Sequence, residues 1–214
     1  MSMTSDSPQQ MTADMRVRHW EDVYCSKEEC ELSWHQDNPR CSQALITACS
    51  PPGGSVIDVG GGSSILGGRL ADLGHDVTIV DISASAIERS KGRTGATHTK
   101  INWMVGDVLQ QPRFDPCDVW HDRAVFHFLT HEEDQRAYVS CLQKTVRSSG
   151  HVVLGVFAMD GPAQCSGLPV ERYDAAKIET VLGQAWTLES SEYELHTTPW
   201  GKTQLFLWVV ARLR

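Results

Sequence analysis

Long apolar runs and positive charge are both scarce in this sequence. No apolar stretch approaches the roughly 18 residues that a membrane-spanning helix needs, and the segment Met1 to Gln10 is too polar for a signal peptide. The 19 Lys and Arg are outnumbered by 27 Asp and Glu, which gives a formal net charge of -8. Neither a phosphate backbone nor an anionic membrane attracts such a chain. We therefore expect a cytoplasmic protein with no membrane and no nucleic-acid partner.

Cysteine patterns that would indicate a disulfide framework or a zinc site are also missing from the sequence. The seven cysteines are odd in number and include no pair at C-x2-C spacing. Without a secretory signal, reduced thiols are the natural expectation. Cys25 and Cys30 lie near His35, but no fourth ligand follows at a zinc-like spacing. We expect no bound metal.

The length and composition indicate one globular domain. A chain of 214 residues with 41% hydrophobic residues is long enough to bury a full core, and it contains no repeat or linker-like segment. We expect a disordered lead over residues 1–11, then one domain over 12–214, and a monomeric protein. Within the domain, residues 12–50 form an N-terminal helical segment and residues 51–214 form the core.

Apolar strands alternate with helices along the core, and the fold class follows from this alternation. The predicted strands are 55–59, 77–80, 101–105, 117–121 and 151–158, followed by a closing pair at 186–195 and 204–211. Solidly apolar strands separated by helices predict a parallel sheet covered on both faces. The closing pair has no helix between its strands, so one of them must be antiparallel. We therefore predict an α/β fold with a doubly wound, seven-stranded, Rossmann-like sheet.

Several predicted helices begin with capping signals. Ser85 with Glu88, and Thr130 with Glu133, have the spacing of capping boxes. Asp174 can cap the helix that follows it. We expect each of these residues to mark a helix N-terminus.

A glycine-rich turn follows the first strand of the core. The segment Val56-Ile-Asp-Val-Gly-Gly-Gly-Ser-Ser64 places three glycines between a strand and a helix, where the backbone can approach a ligand closely. These are Gly60, Gly61 and Gly62. A dinucleotide fingerprint would need a third glycine at the position of Ile65. Asp58 precedes the loop and is suited to orient it and a cationic ligand, so the loop favours such a ligand over a pyrophosphate.

Carboxylates end the next two predicted strands. Asp81 can accept hydrogen bonds from both ribose hydroxyls of an adenosine; alternatively, it caps the helix that begins near Ser83. Asp107 can bind the exocyclic amine of adenine while Val108 packs on the ring. Ile82 is expected beside the same ligand. The order of these residues along the chain indicates a nucleoside site at the strand ends.

Together, the glycine loop and the two carboxylates resemble the class I S-adenosylmethionine (SAM)-dependent methyltransferases. The resemblance runs from Val56 to about Val156, and the closing strand pair extends it to the C-terminus. The last glycine of the family's usual G-x-G-x-G motif is Ser64 in this sequence. The resemblance implies SAM as the cofactor, S-adenosylhomocysteine (SAH) as the product and a small-molecule acceptor.

The end of the fourth predicted strand resembles one group within that family. Trp120, Asp122 and Arg123 are similar to the W-D-R-G segment of thiopurine methyltransferases, although Ala124 stands where Gly is usual. The [N/D]-P-P-[Y/F] signature of nucleobase and amide nitrogen methylation does not occur there. The resemblance implies catalytic roles for Asp122 and Arg123, and contact of Asp122 with the cofactor. His127 lies past the strand end and can take a proton from a thiol or an amine.

The N-terminal aromatic residues extend this resemblance. Trp20 and Tyr24 are four residues apart and are followed by Trp34-His35-Gln36, similar to the Trp pair and the W/F-x-Q segment that thiopurine and thiol methyltransferases fold over the cofactor. Tyr24 replaces a Trp, and three extra residues precede Trp34. The resemblance implies that residues 12–50 form a lid in which Trp20, Tyr24 and Trp34 contact SAM. Alternatively, these rings are ordinary core aromatics.

The sequence thus predicts methyl transfer from SAM to a small nucleophile, a thiol or another soft atom. Trp34, Phe126 and Phe128 can line a mostly apolar acceptor pocket, which suits a thiolate that is already a strong nucleophile. A protein-lysine N-methyltransferase and a non-catalytic SAM-binding module are the alternatives. Asp122 and Asp160 both follow central strands, as Mg2+ ligands would, but no Asn neighbours Asp160.

Overall fold

The computed structural model describes residues 10–94, 101–110 and 112–214. The lead predicted over residues 1–11 therefore falls almost entirely outside the described residues. Within the described ranges, no helix combines the length and the apolar character that crossing a bilayer requires.

A seven-stranded sheet forms the centre of the molecule, as the sequence predicted. The strands in chain order are β1 (Ser55–Val59), β2 (Asp76–Asp81), β3 (Ile101–Val105), β4 (Cys117–Arg123), β5 (Val146–Phe157), β6 (Gln164–Cys165), β7 (Leu168–Pro169), β8 (Trp186–Thr197) and β9 (Thr203–Leu213). The sheet order is β3-β2-β1-β4-β5-β9-β8, and β6 pairs with β7 separately. The first five strands are parallel, and β9 is antiparallel to both β5 and β8. The predicted closing pair is therefore confirmed.

Helices cover both faces of the sheet. They are α1 (Ala13–Ser26), α2 (Arg40–Cys49), α3 (Leu66–Asp72), α4 (Ala84–Thr94), α5 (Glu132–Thr145) and α6 (Ala175–Leu182). Neighbouring strand residues point to opposite faces, so Val56 packs in a cluster with α2, α3 and α4, while Ile57 packs with α5 and α6. Strands buried on both faces explain why the sequence shows apolar runs rather than strict alternation.

Two central strands are longer than the sequence predicted. β4 continues past residue 121 through Arg123, and β5 begins at Val146 rather than at 151. Pairing between the two strands accounts for the extension, since Asp122 pairs with Leu154 and Arg123 pairs with Gly155. Asp122 and Arg123 are thereby strand residues, and their side chains leave opposite faces of the sheet.

The sequence predicted N-terminal caps for α5 and α6, and the structure confirms only the cap of α6. Asp174 caps α6 as predicted, because its Oδ1 accepts the amide of Lys177 at 2.8 Å. The capping box of Thr130 and Glu133 was wrong. Helix α5 begins after His131 with no side-chain cap, so Thr130 lies one residue too early to reach the first free amides.

The chain reverses its direction across the sheet next to β1. It moves from β1 outward to β2 and β3, and later crosses back to β4 on the other side of β1. Ligands of open α/β sheets bind at such a switch point, beyond the carboxyl ends of the strands. The glycine loop after β1 and the end of β4 flank this point.

Candidate active site

A large cavity opens beyond the carboxyl ends of the parallel strands. Its empty volume, which includes the solvent space at its mouth, is about 810 Å³. The residues from strand ends that line it include Gly60, Asp81, Ile82, Asp107, Val108 and Arg123. This larger cavity brings together most of the residues that the sequence assigned to a nucleoside.

Asp81 is held by two backbone amides at the edge of the larger cavity. Its Oδ1 accepts the amide of Ser83 at 2.9 Å, and its Oδ2 accepts the amide of Gly62 at 2.9 Å. The predicted helix cap was wrong, because Ser83 caps α4, and ribose binding stays a prediction. Burial raises the pKa of this carboxyl to about 6. Because Asp81 also lines the larger cavity, its remaining lone pairs can accept hydrogen bonds from a ligand.

Asp107 is held by a residue that the sequence analysis missed. Arg16 donates to its Oδ2 from Nη2 at 2.8 Å and from Nε at 3.1 Å, and the amide of Leu109 donates to Oδ1 at 2.9 Å. Arg16, Trp20 and Tyr24 all line the larger cavity from α1. Their spacing of four places them on one helix face. Extending the Trp20–Tyr24 spacing back by one step would have identified Arg16.

Glu21 fastens α1 to the beginning of α4. It accepts hydrogen bonds from the hydroxyls of Ser83, at 2.7 Å, and of Ser85. The predicted capping box at Ser85 was therefore wrong, since the Ser85 hydroxyl points away to Glu21. Ser83 caps α4 instead, with its Oγ accepting the amide of Ala86 at 3.1 Å.

Four aromatic rings line the larger cavity. Trp20 contacts Trp34 with ring centroids 5.9 Å apart and Phe128 at 4.8 Å, and Tyr24 lies 6.1 Å from Trp34. All of these contacts are edge-on. Trp20, Tyr24 and Trp34 also pack with buried apolar residues of the N-terminal segment. They are therefore core aromatics, and their contact with SAM stays a prediction.

The glycine loop requires glycine at two of its positions. Gly60 has φ +63°, and a Cβ there would lie 2.1 Å from Cγ2 of Val125. Gly62 has φ +52°, and a Cβ there would lie 2.3 Å from the hydroxyl of Tyr24. The left-handed backbone and the lack of room exclude other side chains. The loop therefore has no side chains at these two positions at the edge of the cavity.

A second, smaller cavity of about 530 Å³ is lined by polar residues. Asp58 accepts a hydrogen bond from Nδ1 of His121 at 2.7 Å through its Oδ1. Several buried polar atoms on this lining have no partner in the protein: Ser42 Oγ, Asp58 Oδ2, His121 Nε2, and Arg123 Nε and Nη2. Buried polar groups are almost always paired. The smaller cavity therefore fits a ligand group that carries both a cation and an anion.

Trp34, Gly60 and Arg123 line both cavities and define their junction. Arg123 donates from Nη1 to the carbonyl of Trp34 at 2.8 Å, and its guanidinium lies 4.7 Å from the centre of the Phe206 ring. Burial lowers the pKa of Arg123 to about 10. The side chain still carries its charge at neutral pH, with two nitrogens free for a ligand.

Asp122 does not line either cavity, contrary to its predicted catalytic and cofactor-binding roles. It accepts the amide of Val125 at 2.9 Å and the hydroxyl of Tyr138 at 2.6 Å. Burial raises the pKa of its carboxyl to about 6. Strand alternation sends Asp122 into the core below the sheet while Arg123 faces the cavities. Asp122 thus stabilises the turn after β4.

His127 and Phe126 are also displaced from their predicted positions. His127 is fully buried, and its Nδ1 accepts the amide of Phe157 at 3.2 Å. Burial, with the charge of Arg123, lowers the pKa of His127 to about 3. Phe126 packs on Tyr138 in the core rather than on the cavity. A short 3-10 helix follows β4, and the directions of its side chains cannot be read from a regular spacing in the sequence. Of the predicted acceptor residues, only Trp34, Arg123 and Phe128 reach the cavities.

Comparison with known proteins supports this description. Residues 56–150 match the methyltransferase domain family. A SAM-dependent methyltransferase from Anabaena variabilis ATCC 29413 has a TM-score of 0.77 at 17% identity, with 100% of both chains covered. The N-methyltransferase NodS from Bradyrhizobium japonicum WM9, in complex with SAH, has a TM-score of 0.71 at 19% identity, over 92% of this chain and 98% of NodS. No curated protein sequence matches this one significantly.

A further structural neighbour comes from work on the conversion of a disulfide bond into a thioacetal group during echinomycin biosynthesis. Its TM-score is 0.76 at 19% identity, and 92% of each chain is covered. At such identities the neighbours establish a shared fold. The fold is the Rossmann-like fold that this chain shares with these methyltransferase structures. Together with the match of residues 56–150 to the methyltransferase domain family, it indicates a SAM-dependent methyltransferase with SAM as the methyl donor.

The residues present fit SAM. The unpartnered Oδ2 of Asp58 suits the ammonium of an amino acid, and the unpartnered hydroxyl of Ser42 on the same lining can donate to its carboxylate. Asp81 and Asp107, at the other end of the site, suit a nucleoside. The glycine loop lies between these two ends of the site, and its lack of side chains leaves room for the ligand.

Proposed function

We propose that this protein transfers the methyl group of SAM to a small thiol or a related soft nucleophile. Bound SAM supplies an electrophilic methyl group on a sulfonium. In this proposal Asp81 binds the ribose hydroxyls, and Asp107 binds the adenine amine. Val108 and Ile82 lie beside the adenosine, and Asp58 binds the ammonium of the amino-acid group, with the glycine loop between the two ends.

The reacting centre then belongs at the junction of the two cavities. The nucleoside and the amino-acid part of SAM are joined at the sulfonium. If each part occupies the cavity that suits it, the sulfonium lies where Trp34, Gly60 and Arg123 line both cavities. The remaining residues of the larger cavity near this point face the acceptor, and we call them the acceptor side: Trp20, Ala124, Val125, Phe128, Leu129 and Cys165.

The observation that supports a soft, anionic acceptor is an unpartnered guanidinium beside an acceptor side that offers no base. Burial raises the pKa of the Cys165 thiol, so this residue stays protonated, and His127 lies outside the cavity. Arg123 has free Nε and Nη2 groups. A guanidinium stabilises a nearby thiolate, so a thiol that has lost its proton to water is bound here as the thiolate and needs no protein base. An acceptor ammonium would be repelled by the same charge.

The alternatives make different demands on the site. A lysine acceptor must lose a proton before it can attack, and the acceptor side lacks a group to take it. A non-catalytic SAM-binding module would need no acceptor side. Among the structural neighbours, NodS is described as an N-methyltransferase, whereas another concerns sulfur chemistry. The fold therefore allows either acceptor, and the proposal depends on Arg123 and its surroundings.

A panel assay that measures SAH formation tests the acceptor class. The panel contains small thiols, selenols, halides, phenols and amines, together with proteins from a cell extract. We expect turnover of thiols or selenols. Methylation of one lysine in the extract, without turnover of any small thiol, would contradict the proposal. SAM binding without any turnover would favour the non-catalytic module.

Variants of Arg123 test its assigned role. Arg123→Met removes the charge and should lower kcat/KM for thiols about tenfold or more, because the thiolate loses a charge-assisted contact. The acidic limb of the pH–rate profile should move toward the pKa of the free thiol, and Arg123→Lys should partly restore it. We expect Arg123→Ala to lower turnover more than His127→Ala. The reverse order, at equal thermal stability, would return the role of base to His127.

A further inference from the structure

We infer that His121 is a further cofactor-binding residue, whose Nε2 accepts a second hydrogen from the ammonium that Asp58 binds. The inference rests on one part of the proposed function, the placement of the amino-acid end of SAM in the smaller cavity. His121 is a buried titratable residue to which the proposed function gives no role. It lies on β4, outside the glycine loop and the strand-end carboxylates that the sequence singles out.

The register of the sheet brings His121 and Asp58 together. Asp58 pairs with His121 across β1 and β4, and paired residues of neighbouring strands project to the same face. Nδ1 of His121 lies 2.7 Å from Oδ1 of Asp58, and each residue is only 2% exposed. An ionised carboxylate can only accept a hydrogen bond, so Nδ1 carries the hydrogen.

Trp208 holds the imidazole ring of His121 on a second side. The two rings stack with their centroids 5.9 Å apart and an interplanar angle of 22°. Trp208 in turn donates from Nε1 to Oε2 of Glu194 at 2.8 Å. Contacts on one edge and on one face fix the orientation of the ring, so the position of Nε2 is set before a ligand arrives.

The outer atoms of this pair, Oδ2 of Asp58 and Nε2 of His121, are buried and have no partner among the described residues. Both residues line the smaller cavity, and neither lines the larger one. A Cβ at Gly61 would lie 2.9 Å from Oδ2 of Asp58, so this oxygen lies against the part of the glycine loop that lines the same cavity. Buried polar groups are almost always paired. Two unpaired atoms on one lining therefore indicate one ligand group that satisfies both.

A primary ammonium fits these two atoms. It carries three N–H donors, so it can donate to Oδ2 of Asp58 and to Nε2 of His121 together. A neutral imidazole with its hydrogen on Nδ1 exposes a lone pair at Nε2. Protonation of Nε2 would add a second cation near Arg123, which lies two residues along β4 on the same face. Asp58 is the only carboxylate among the described residues that line this cavity, so the neutral ring is the form that complements an ammonium.

Titration calorimetry of SAH and of an SAH analogue that lacks the amino group tests this inference. The measured quantity is the preference ratio, which is the Kd of the analogue divided by the Kd of SAH. His121→Asn keeps a donor for Asp58 but has no acceptor at the position of Nε2, so the preference ratio should fall about tenfold. His121→Gln places an amide oxygen near that position and should retain most of the ratio. His151→Asn removes a second His–carboxylate contact that lines neither cavity, and this matched control should leave the ratio unchanged.

An unchanged preference ratio in His121→Asn would overturn the inference, because it would show that the ring only holds Asp58 in place. If thermal unfolding shows that His121→Asn does not fold, His121→Phe replaces it, and equal ratios in His121→Phe and His121→Gln would overturn the inference.

Asp58→Asn separates this inference from the proposed function. An unchanged ratio in Asp58→Asn would reject the placement of the ammonium in the smaller cavity, and the role of His121 with it. A fall in Asp58→Asn without a fall in His121→Asn would reject only the role of His121. No acceptor is present in this experiment, so its outcome is independent of whether thiols are methylated.

Discussion

At the scale of single residues, Asp81 offers the sharpest test of the cofactor site. A carboxylate that holds two ribose hydroxyls makes charge-assisted hydrogen bonds of roughly 1.5–3 kcal/mol each. Asp81→Ala should therefore weaken SAM at least about tenfold, as measured by calorimetry, while the protein remains folded. Asp76→Asn, at the exposed opposite end of β2, is the control. Unchanged affinity in Asp81→Ala would mean that Asp81 serves only to hold the backbone amides of Gly62 and Ser83.

The raised pKa of Asp81 also predicts a pH dependence. Burial raises this pKa from 3.8 to about 6, so the folded protein binds the proton more readily than the unfolded chain. The stabilising contribution of Asp81 is thus complete below about pH 4 and is lost as the pH rises through about 6. SAM affinity should change in the opposite direction and fall below about pH 6, since ribose hydroxyls favour the ionised carboxylate. Calorimetry across this range measures it, and Asp81→Asn should not show the fall.

Asp122 is expected to affect stability rather than chemistry. Asp122→Ala leaves the hydroxyl of Tyr138 and the amides of Val125 and Phe126 without their acceptor. We expect a loss of about 3 kcal/mol or more in the free energy of unfolding, seen as a lower midpoint in thermal unfolding. The kcat of the folded protein should stay within about twofold of the wild type. Asp160→Ala, in the exposed turn after β5, is the control. A large loss of kcat at wild-type stability would restore the catalytic role.

At the scale of elements, helix α1 is the part of the site that we expect to respond to cofactor binding. It contributes Arg16, Trp20 and Tyr24 to the larger cavity and is fastened by Arg16 to Asp107 and by Glu21 to α4. We propose that residues 12–36 act as a lid that the cofactor orders. Amide hydrogen exchange in this segment should slow when SAH is bound, because the ligand adds contacts to the face of α1 that lines the cavity.

The Arg16–Asp107 ion pair makes the lid testable by substitution. Arg16→Met should speed exchange across α1 in the cofactor-free protein and raise the dissociation rate of SAH by about tenfold, since a partly buried charged contact is lost. Arg18→Met, exposed on the same helix, should behave like the wild type. Equal protection with and without SAH, in both variants, would mean that α1 is a fixed part of the core.

At the scale of the whole molecule, cofactor binding should raise the thermal stability. A ligand at a hundred times its Kd adds about 2.7 kcal/mol to the free energy of unfolding, which corresponds to a rise in Tm of roughly 5–10 °C for a domain of this size. Differential scanning calorimetry with SAM, SAH and NAD checks this. NAD should produce no shift, and stabilisation by NAD alone would contradict the cofactor assignment.

Much of the fold was predictable because the signals that determine it are local. Three local signals specified the class of sheet: apolar runs rich in β-branched residues, helical spacing between them, and a final pair of strands with no helix between its members. The positions of Asp81 and Asp107 followed from the same signals, since a residue that ends a parallel strand must lie at one edge of the sheet. The glycine loop was predictable because its backbone conformation requires glycine whatever surrounds it.

Side-chain direction and contacts between distant segments were decided only by the tertiary structure. Asp122 and Arg123 are neighbours, yet pairing between β4 and β5 extends the strand through both and turns one into the core and the other toward the cavities. His127 is buried because a 3-10 turn, not a strand, follows. Arg16 reaches Asp107 across 91 positions of the chain. The sequence by itself thus determined the scaffold and the strand-end positions of Asp81 and Asp107, whereas the directions of the side chains after β4 depended on strand length and on long-range packing, which no local pattern encodes.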